Sequence, residues 1–371
     1  MTQITGKTLY VLGAGSSHHT GAPLLRDFLL TARLLRESKR ELKYEEEFKR
    51  IFYWIDSLRS ASYYVELDLD NLEHIFSLAE MLKQIGSKEG KEHFSDLRYV
   101  VMETLDRCQI QWKERRLQPD SLYDKFITTL DELNQKRKER IMVTTGIFER
   151  DVIVTLNYDV MLDYAMGFHR IPFDYCLSSS VAHDNFKVLK LHGSTNWASC
   201  QNCKDHLQII FPNPIPPSHS IDPFLKDGTR LFFEMVTNVM LNTPCDQCKE
   251  EGTLEPVVIP PTWSKAVSGT PLAKVWEMAV NEIKNVFQII VIGYSLPPSD
   301  TFFQYLLTLG LSTNANLHRV IVINNDDSAE FKQRYERVFS RSLNARGRLI
   351  FRNKTFDEFI HSEMTVFGGQ I

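Results

Sequence analysis

A series of short, almost continuously apolar segments is the feature that most constrains this fold. Each segment is rich in valine, isoleucine or leucine, and helical patterns lie between several of them. Such segments are typical of strands in a parallel sheet that helices cover on both faces. The predicted strands are residues 9–12, 152–155, 188–191, 257–259, 289–292 and 320–323. We therefore predict an α/β protein with a Rossmann-like parallel sheet.

Polar residues follow five of these strands directly. The polar segments are residues 13–17, 157–159, 192–194, 293–295 and 324–326. Open α/β sheets bind ligands outside the carboxyl ends of their strands, and those ends meet at one edge of a parallel sheet. The sequence therefore predicts a binding pocket at this edge.

The first predicted strand ends in a glycine-rich loop with the sequence Gly-Ala-Gly-Ser-Ser at 13–17. Glycines allow a tight turn close to a pyrophosphate, and a following helix, expected to begin near Pro23, would offer its N–H groups to the anion. The third glycine of the dinucleotide fingerprint is missing, since His18 occupies its place. Glycine pairs also close ordinary strand-to-helix turns, so the loop by itself leaves both interpretations open.

Residues 31–150 have a different pattern, dense in Leu, Glu, Lys and Arg at helical spacing. The predicted helices are residues 44–58, 71–85, 93–117 and 121–141. We interpret 31–150 as an all-helical lobe inserted into a catalytic domain formed by 1–30 and 151–371. The charge runs at 113–116 and 136–140 are expected on solvated helix faces, with contact to a partner or a nucleic acid as the alternative.

Four cysteines form two Cys-x-x-Cys pairs, Cys200 with Cys203 and Cys245 with Cys248. This pattern is the ligand set of a closed tetrahedral zinc site, which leaves no position for a reactive water. We predict a structural Zn²⁺ in a small zinc-ribbon module at 198–254. A redox pair and a set of cysteines without metal are the competing interpretations.

Composition excludes some classes of function. The 371 residues include 43% hydrophobic ones, enough for a large core, and the net charge of −4 gives no basic field for nucleic acid or an anionic membrane. No apolar run has membrane-spanning length, and the first residues lack the pattern of a signal peptide. We expect a cytoplasmic protein.

The ordered motifs resemble those of the sirtuins. The loop at 13–23 followed by Arg26 is similar to the sirtuin nucleotide-binding opening, and the cysteine pairs lie where the sirtuin zinc ribbon lies. Further resemblances are Thr-Leu-Asn-Tyr-Asp at 155–159, Leu-His-Gly-Ser at 191–194, Gly-Tyr-Ser-Leu at 293–296 and Ile-Asn at 323–324. The resemblance implies a sirtuin-like fold and NAD⁺ as a ligand.

Some residues depart from the sirtuin deacetylases. Leu24 and Leu25 replace an Asp-Phe pair, and Pro260 and Pro261 stand where a peptide substrate needs N–H donors. Three motifs instead resemble the prokaryotic sirtuin-like branch of antiviral defence systems: His-Gly-Ser-Thr-Asn-Trp at 192–197, Ile-Pro-Pro at 259–261 and Gly-Tyr-Ser-Leu-Pro-Pro-Ser-Asp at 293–300. That resemblance implies an NAD⁺ hydrolase that depletes the cofactor in an infected cell. It also implies a homo-oligomer and, as a partner, a hexameric DNA-translocating ATPase of the HerA type.

The resemblance assigns catalytic roles to Asn157, His192 and Asp159. Asn157 would orient a water and the ribose, and His192 would accept a proton from water or a ribose hydroxyl. Asp159 would keep the ribose or Asn157 in place, unless it caps a turn or helix. The expected cofactor-binding residues are Gly13, Ala14, Gly15, Ser16, Ser17, Arg26, Gly293, Ser295 and Asn324. For Arg26, a structural ion pair is the alternative.

Other functions use the same pocket. An NAD-dependent protein deacetylase or ADP-ribosyltransferase would need a groove for a protein substrate, which the two prolines disfavour. A nucleotide sensor without catalysis is also compatible with the fold, but it would not need both Asn157 and His192.

Overall fold

The structure, a computed structural model, describes residues 6–38, 42–61, 67–109, 112–113, 116–117, 121–144, 148–178, 182, 184–203, 206–210, 240, 242–259, 271–339 and 341–369. The strands are β1 (Thr8–Leu12), β2 (Trp112–Lys113), β3 (Arg116–Leu117), β4 (Val152–Thr155), β5 (Phe173–Asp174), β6 (Phe186–Lys190), β7 (Gly193–Cys200), β8 (Leu207–Ile209), β9 (Leu254–Val258), β10 (Gln288–Ile292), β11 (Arg319–Asn324) and β12 (Leu349–Asn353). The helices are α1 (Ala14–Ser17), α2 (Phe28–Glu37), α3 (Glu45–Ala61), α4 (Leu72–Gln84), α5 (Lys88–Cys108), α6 (Ser121–Thr144), α7 (Met161–Phe168), α8 (Leu272–Ile283), α9 (Thr301–Leu311), α10 (Ala329–Val338), α11 (Arg341–Ala345), α12 (Phe356–Ser362) and α13 (Met364–Gly369). None of these described helices is long and apolar enough to cross a bilayer.

Seven of the described strands form one sheet in the order β12-β11-β10-β1-β4-β6-β5, and every neighbouring pair is parallel. All five residues of β1 and of β10 are buried. Successive side chains of a strand point to opposite faces, so both faces of the sheet are covered. The predicted Rossmann-like parallel sheet is confirmed.

The strand register aligns the carboxyl ends of the central strands. Leu12 pairs with Ile292 on one side and Thr155 on the other, and Thr155 pairs with Lys190. The chain runs outward from β1 through β4 to β6, then returns to β10 and continues outward to β12. The strand order therefore reverses between β1 and β10, which is where open α/β sheets form their ligand crevice.

Four helices form a separate hydrophobic core. Side chains of α2, α3, α4 and α5 pack together, and Tyr158 and Val258 join them from the sheet side. The helix predicted at 71–85 is α4, whose N-cap Asn71 accepts a hydrogen bond from Glu73 N–H. The helix predicted at 93–117 begins earlier, because Ser87 caps it, and ends at Cys108.

Helix α6 packs on the main sheet. Its residues Tyr123, Phe126 and Leu130 belong to the core that surrounds β1 and β4. The buried Arg137 binds Asp151 at 2.5 Å, and the same carboxylate accepts the N–H of Thr8. The division of the chain at residues 30 and 150 remains a proposal, and the packing favours placing α6 with the sheet.

Two expectations about local structure are wrong. The segment at 257–259 is not a strand of the parallel sheet, because β9 pairs antiparallel with β7 in a small sheet of order β8-β7-β9. Its alternating burial fits a sheet covered on one face. The helix expected near Pro23 begins directly after Gly13 as α1, and two short 3₁₀ turns precede α2 at Phe28.

The edge strands β5 and β12 lie outside the predicted set. Both contain half-buried residues, and β12 is only partly apolar. Edge strands have one neighbour and less burial, so their sequences carry a weaker pattern.

Candidate active site

The loop that follows β1 packs directly against the loop that follows β10. The Gly13 N–H donates to the Ile292 carbonyl at 3.0 Å, and the Gly15 N–H donates to the Gly293 carbonyl at 2.8 Å. A Cβ atom on Gly15 would lie 2.8 Å from Cα of Gly293, which has a φ of +62°. The contact between the two backbones, at the reversal of strand order, therefore requires glycine at both positions.

Asn157, two residues after β4, holds the glycine loop in place. Its Nδ2 group donates to the Gly13 carbonyl at 3.0 Å and contacts the hydroxyls of Ser17 and Ser16 at 2.9 and 3.2 Å. The N–H groups of this amide thus bind the protein itself. Its carbonyl oxygen is the atom suited to accept a hydrogen bond from a water or a ribose hydroxyl.

Tyr123 of α6 contacts the same loop through its hydroxyl group. Its hydroxyl lies 2.8 Å from that of Ser17 and 3.3 Å from that of Ser16. Burial raises the pKa of Tyr123 above its ordinary value, so the phenol stays protonated. Sequence reasoning missed this residue, because a tyrosine on the apolar face of a helix looks like any core tyrosine. The hydroxyls of Ser16 and Ser17, expected at a phosphate or ribose, lie buried against Tyr123 and Asn157.

His192 lies just after β6, the strand next to β4. It is 3% exposed, and its carbonyl accepts the N–H of Ile259 at 2.8 Å, which fixes the backbone. Gly193 beside it has a φ of +81°, and a Cβ there would lie 2.0 Å from the carbonyl oxygen of Val257. The His-Gly sequence therefore reflects a turn from the parallel sheet into β7.

A buried carboxylate faces this histidine. Asp300 Oδ2 lies 3.6 Å from His192 Nε2, and the Tyr294 hydroxyl binds the same oxygen at 2.7 Å. Burial raises the pKa of Tyr294 well above its ordinary value, so the phenol donates to Asp300. The motif at 293–300 contains both residues, but sequence analysis assigns no role to either. Asp300 stands directly before the helix α9, as its N-cap. This capping position was the feature of the sequence that could have drawn attention to Asp300.

Asp159 is part of a different set of contacts. One carboxylate oxygen accepts the N–H of Met161 at 3.1 Å, at the start of α7. Its carbonyl accepts Lys190 Nζ at 2.6 Å, and Lys190 forms a buried ion pair with Asp163. The contact with Met161 is that of an Asx turn directly before α7, which agrees with the turn alternative for Asp159.

The remaining expected cofactor-binding residues differ in their exposure and in their contacts. The Arg26 side chain is 81% exposed and pairs with the neighbouring Asp27. Ser295 is exposed and Ala14 half-buried. Asn324 donates from Nδ2 to the Tyr294 carbonyl at 3.3 Å, so it shapes the loop after β10. Pro260 and Pro261 lie outside the described residues.

The four predicted zinc ligands come together. The Sγ atoms of Cys200 and Cys248 lie 3.7 Å apart, those of Cys203 and Cys245 lie 3.8 Å apart, and all four fall within 4.8 Å of one another. Tetrahedral zinc with sulfur ligands at about 2.3 Å places sulfurs about 3.8 Å apart. The thiolate set and its spacing therefore fit one structural Zn²⁺, and no disulfide links these cysteines.

Comparisons with known proteins give structural matches only. No protein-family model matches the chain, and no curated protein matches it. Among solved structures, Sir2 bound to a p53 peptide and NAD⁺ matches with 13% identity over 98% of this chain and 93% of that chain, at a TM-score of 0.41.

Sir2 with 2′-O-acetyl-ADP-ribose and a deacetylated p53 peptide matches with 13% identity over 98% and 95% of the two chains, at a TM-score of 0.40. A third Sir2 enzyme matches with 14% identity over 96% and 90%, at 0.42. Because these identities and TM-scores are low, we base the functional reasoning on this chain's own geometry.

Proposed function

We propose that this protein hydrolyses NAD⁺ to nicotinamide and ADP-ribose. The observation that carries the proposal is the placement of three groups at one sheet edge. The glycine loop, Asn157 and His192 follow β1, β4 and β6, which are direct neighbours in the sheet. That edge borders the reversal of strand order, where dinucleotides bind in this class of fold.

The chemistry needs positioning more than acid catalysis. Nicotinamide leaves NAD⁺ as a neutral base, so its departure requires no proton, and the transition state resembles an oxocarbenium ion. In the proposed reaction a water oxygen bonds to C1′ of the ribose while the bond to nicotinamide breaks and its electron pair stays on the ring nitrogen. Asn157 Oδ1 orients the water and the ribose, and His192 accepts the proton that the water releases.

We further propose a biological role on the basis of the sequence resemblance. Free hydrolysis of NAD⁺ would harm the cell that makes the enzyme, so activity would be restrained until infection. Within that role the protein is a cytoplasmic effector of antiphage defence that acts as a homo-oligomer. A hexameric DNA translocase of the HerA type is the proposed partner.

One experiment tests the proposed activity. Purified protein, over a range of concentrations that extends to assembled oligomers, is incubated with NAD⁺, with and without an acetylated peptide, while nicotinamide, ADP-ribose and peptide mass are followed. We expect equal nicotinamide and ADP-ribose and an unchanged peptide. Peptide deacetylation or ADP-ribosylation with negligible hydrolysis would establish the alternative activity, and binding of NAD⁺ without nicotinamide release at any protein concentration would identify a sensor.

A further inference from the structure

His192 and Asp300 form a pair in which both side chains are buried. The two side chains are 4% and 1% exposed, and they come from loops after β6 and β10, on opposite sides of β1. Burying a carboxylate is costly unless it is paired and hydrogen-bonded. Tyr294 supplies one hydrogen bond to Asp300 Oδ2, and His192 Nε2 is the group of opposite charge that faces the same oxygen when protonated.

The two oxygens of Asp300 have separate surroundings. Oδ1 accepts the N–H of Phe303 at 3.4 Å, as the N-cap of α9, whereas Oδ2 faces Tyr294 and His192. Capping alone would be served equally well by an uncharged asparagine or serine. The cap therefore does not account for a charged group directed at the imidazole.

From this geometry, and resting on the proposed function, we propose that Asp300 is the positioning residue of His192. Its carboxylate faces Nε2 and favours a proton on that nitrogen, which fixes the orientation and tautomer of the ring. It also stabilises the imidazolium that forms. The present separation of 3.6 Å is an ion-pair distance, and such contacts tighten when substrate binds. In the proposed arrangement Asp300 acts through His192 rather than on the substrate.

Further described groups lie near the imidazole. The Tyr158 ring lies 6.0 Å from that of His192, and its hydroxyl donates to the Ile259 carbonyl. Glu73 of α4 binds the Ser299 hydroxyl next to Asp300. Burial raises the pKa of Tyr158 well above its ordinary value, so this phenol stays neutral across the working range of pH. Within the described part of the chain, Asp300 is thus the carboxylate that faces the imidazole, and Glu73 is a second carboxylate close to Asp300.

The test combines imidazole NMR with kinetics on the full-length protein. Asp300→Asn keeps the helix cap but removes the charge, and Tyr294→Phe removes one hydrogen bond from the carboxylate. Histidines labelled with ¹⁵N report the tautomer and the pKa of His192, which is assigned through His192→Gln. We expect the imidazole pKa to fall in Asp300→Asn, because the charged form loses its stabilising neighbour.

The kinetic expectation follows from the same contact. In Asp300→Asn, kcat for nicotinamide release should fall by about 10²–10⁴-fold, as in other His–Asp pairs, with KM unchanged. Tyr294→Phe should lower kcat less. The matched control is Asp184→Asn, which changes an exposed carboxylate that binds Lys138 just before β6, at the end opposite to His192.

The outcomes separate the two proposals. An unchanged titration of His192 in Asp300→Asn overturns the positioning role, whatever the activity. A shifted titration in a protein whose wild type releases no nicotinamide supports the pairing and rejects the proposed hydrolysis. Equal losses of kcat in Asp300→Asn and Asp184→Asn would also overturn the positioning role.

Discussion

His192 and Asn157 follow neighbouring strands, but their side chains have different surroundings. The imidazole faces a carboxylate, which suits a group that gains a proton. The amide of Asn157 is bound on its nitrogen side to the glycine loop, so it both shapes the pocket and presents an oxygen. A change at either residue should therefore affect catalysis, with an additional structural effect at Asn157.

The first prediction concerns these two side chains. His192→Ala should retain folding and zinc content while nicotinamide release falls by about 10²–10⁴-fold, because a proton acceptor is lost. Asn157→Ala should lose activity too and also lower the free energy of unfolding, by about 1 kcal/mol for each net hydrogen bond removed. Nicotinamide release and urea denaturation measure the two effects. Wild-type hydrolysis in both variants would place the active site elsewhere.

At the scale of secondary-structure elements, α6 and the zinc-ribbon module with its four cysteines contact different parts of the molecule. α6 is fixed to the sheet by the ion pair of Arg137 and Asp151, whose side chains are 9% and 5% exposed. The zinc-ribbon module packs on α5, where Tyr99 and Met102 join its core and Arg98 pairs with Glu255 of β9. Loss of either attachment should have local consequences that experiments can separate.

The second prediction tests the attachment of α6. Arg137→Met should lower the free energy of unfolding by about 3–5 kcal/mol, because it leaves the buried carboxylate of Asp151 without its cation. The matched control is Lys138→Met, one residue further along α6, which removes a partly exposed pair with Asp184 and should cost about 0–1 kcal/mol. Urea denaturation compares the two variants. Similar losses would contradict the structural role given to Arg137.

The third prediction concerns zinc. Metal analysis should find one zinc per chain, and Cys203→Ser should lose it, because structural zinc needs its four ligands. Hydrogen exchange should then rise in β7, β9 and α5, which pack together, while β1 and β10 stay protected. Cys108→Ser, a cysteine outside the cluster, serves as the control and should keep the metal. Protein purified without zinc and with unchanged exchange would refute the prediction.

At the scale of the whole molecule, the helical lobe lies close to the proposed active site. Tyr158, which follows β4, packs into the core of α2 to α5, and Glu73 of α4 binds Ser299 in the loop after β10. A partner or a second copy that moves these helices would therefore act on residues next to Asp300. This contact gives assembly a physical route to the site.

The fourth prediction is that activity depends on assembly. If oligomers form the active state, nicotinamide release per chain should rise with protein concentration, in parallel with the mass measured by light scattering. Glu73→Gln weakens the contact with Ser299. In this variant the rise of nicotinamide release with protein concentration should become smaller, while the oligomer mass should change less. A monomer with full and constant turnover at all concentrations would contradict the prediction.

Much of this protein could be predicted from its sequence. A strand that is buried along its whole length has an unbroken run of apolar residues. The sequence therefore predicts the central strands and their polar ends to within a few residues. The four cysteines were equally clear, because metal ligands need fixed residue types at short spacing. The edge strand β12 and the antiparallel pairing of β9 were less visible, since partial burial leaves a mixed pattern.

Only the tertiary structure decided which side chains meet. Asp300 and His192 lie more than a hundred residues apart, and Tyr123 reaches Ser17 from a helix that sequence reasoning placed in the insert. Such pairs depend on strand order and helix packing, which bring distant residues together without leaving a local pattern. The sequence by itself determined the sheet, the cysteine cluster and the edge that carries polar residues. The three-dimensional packing determined that Asn157 binds the glycine loop and that a carboxylate faces the histidine.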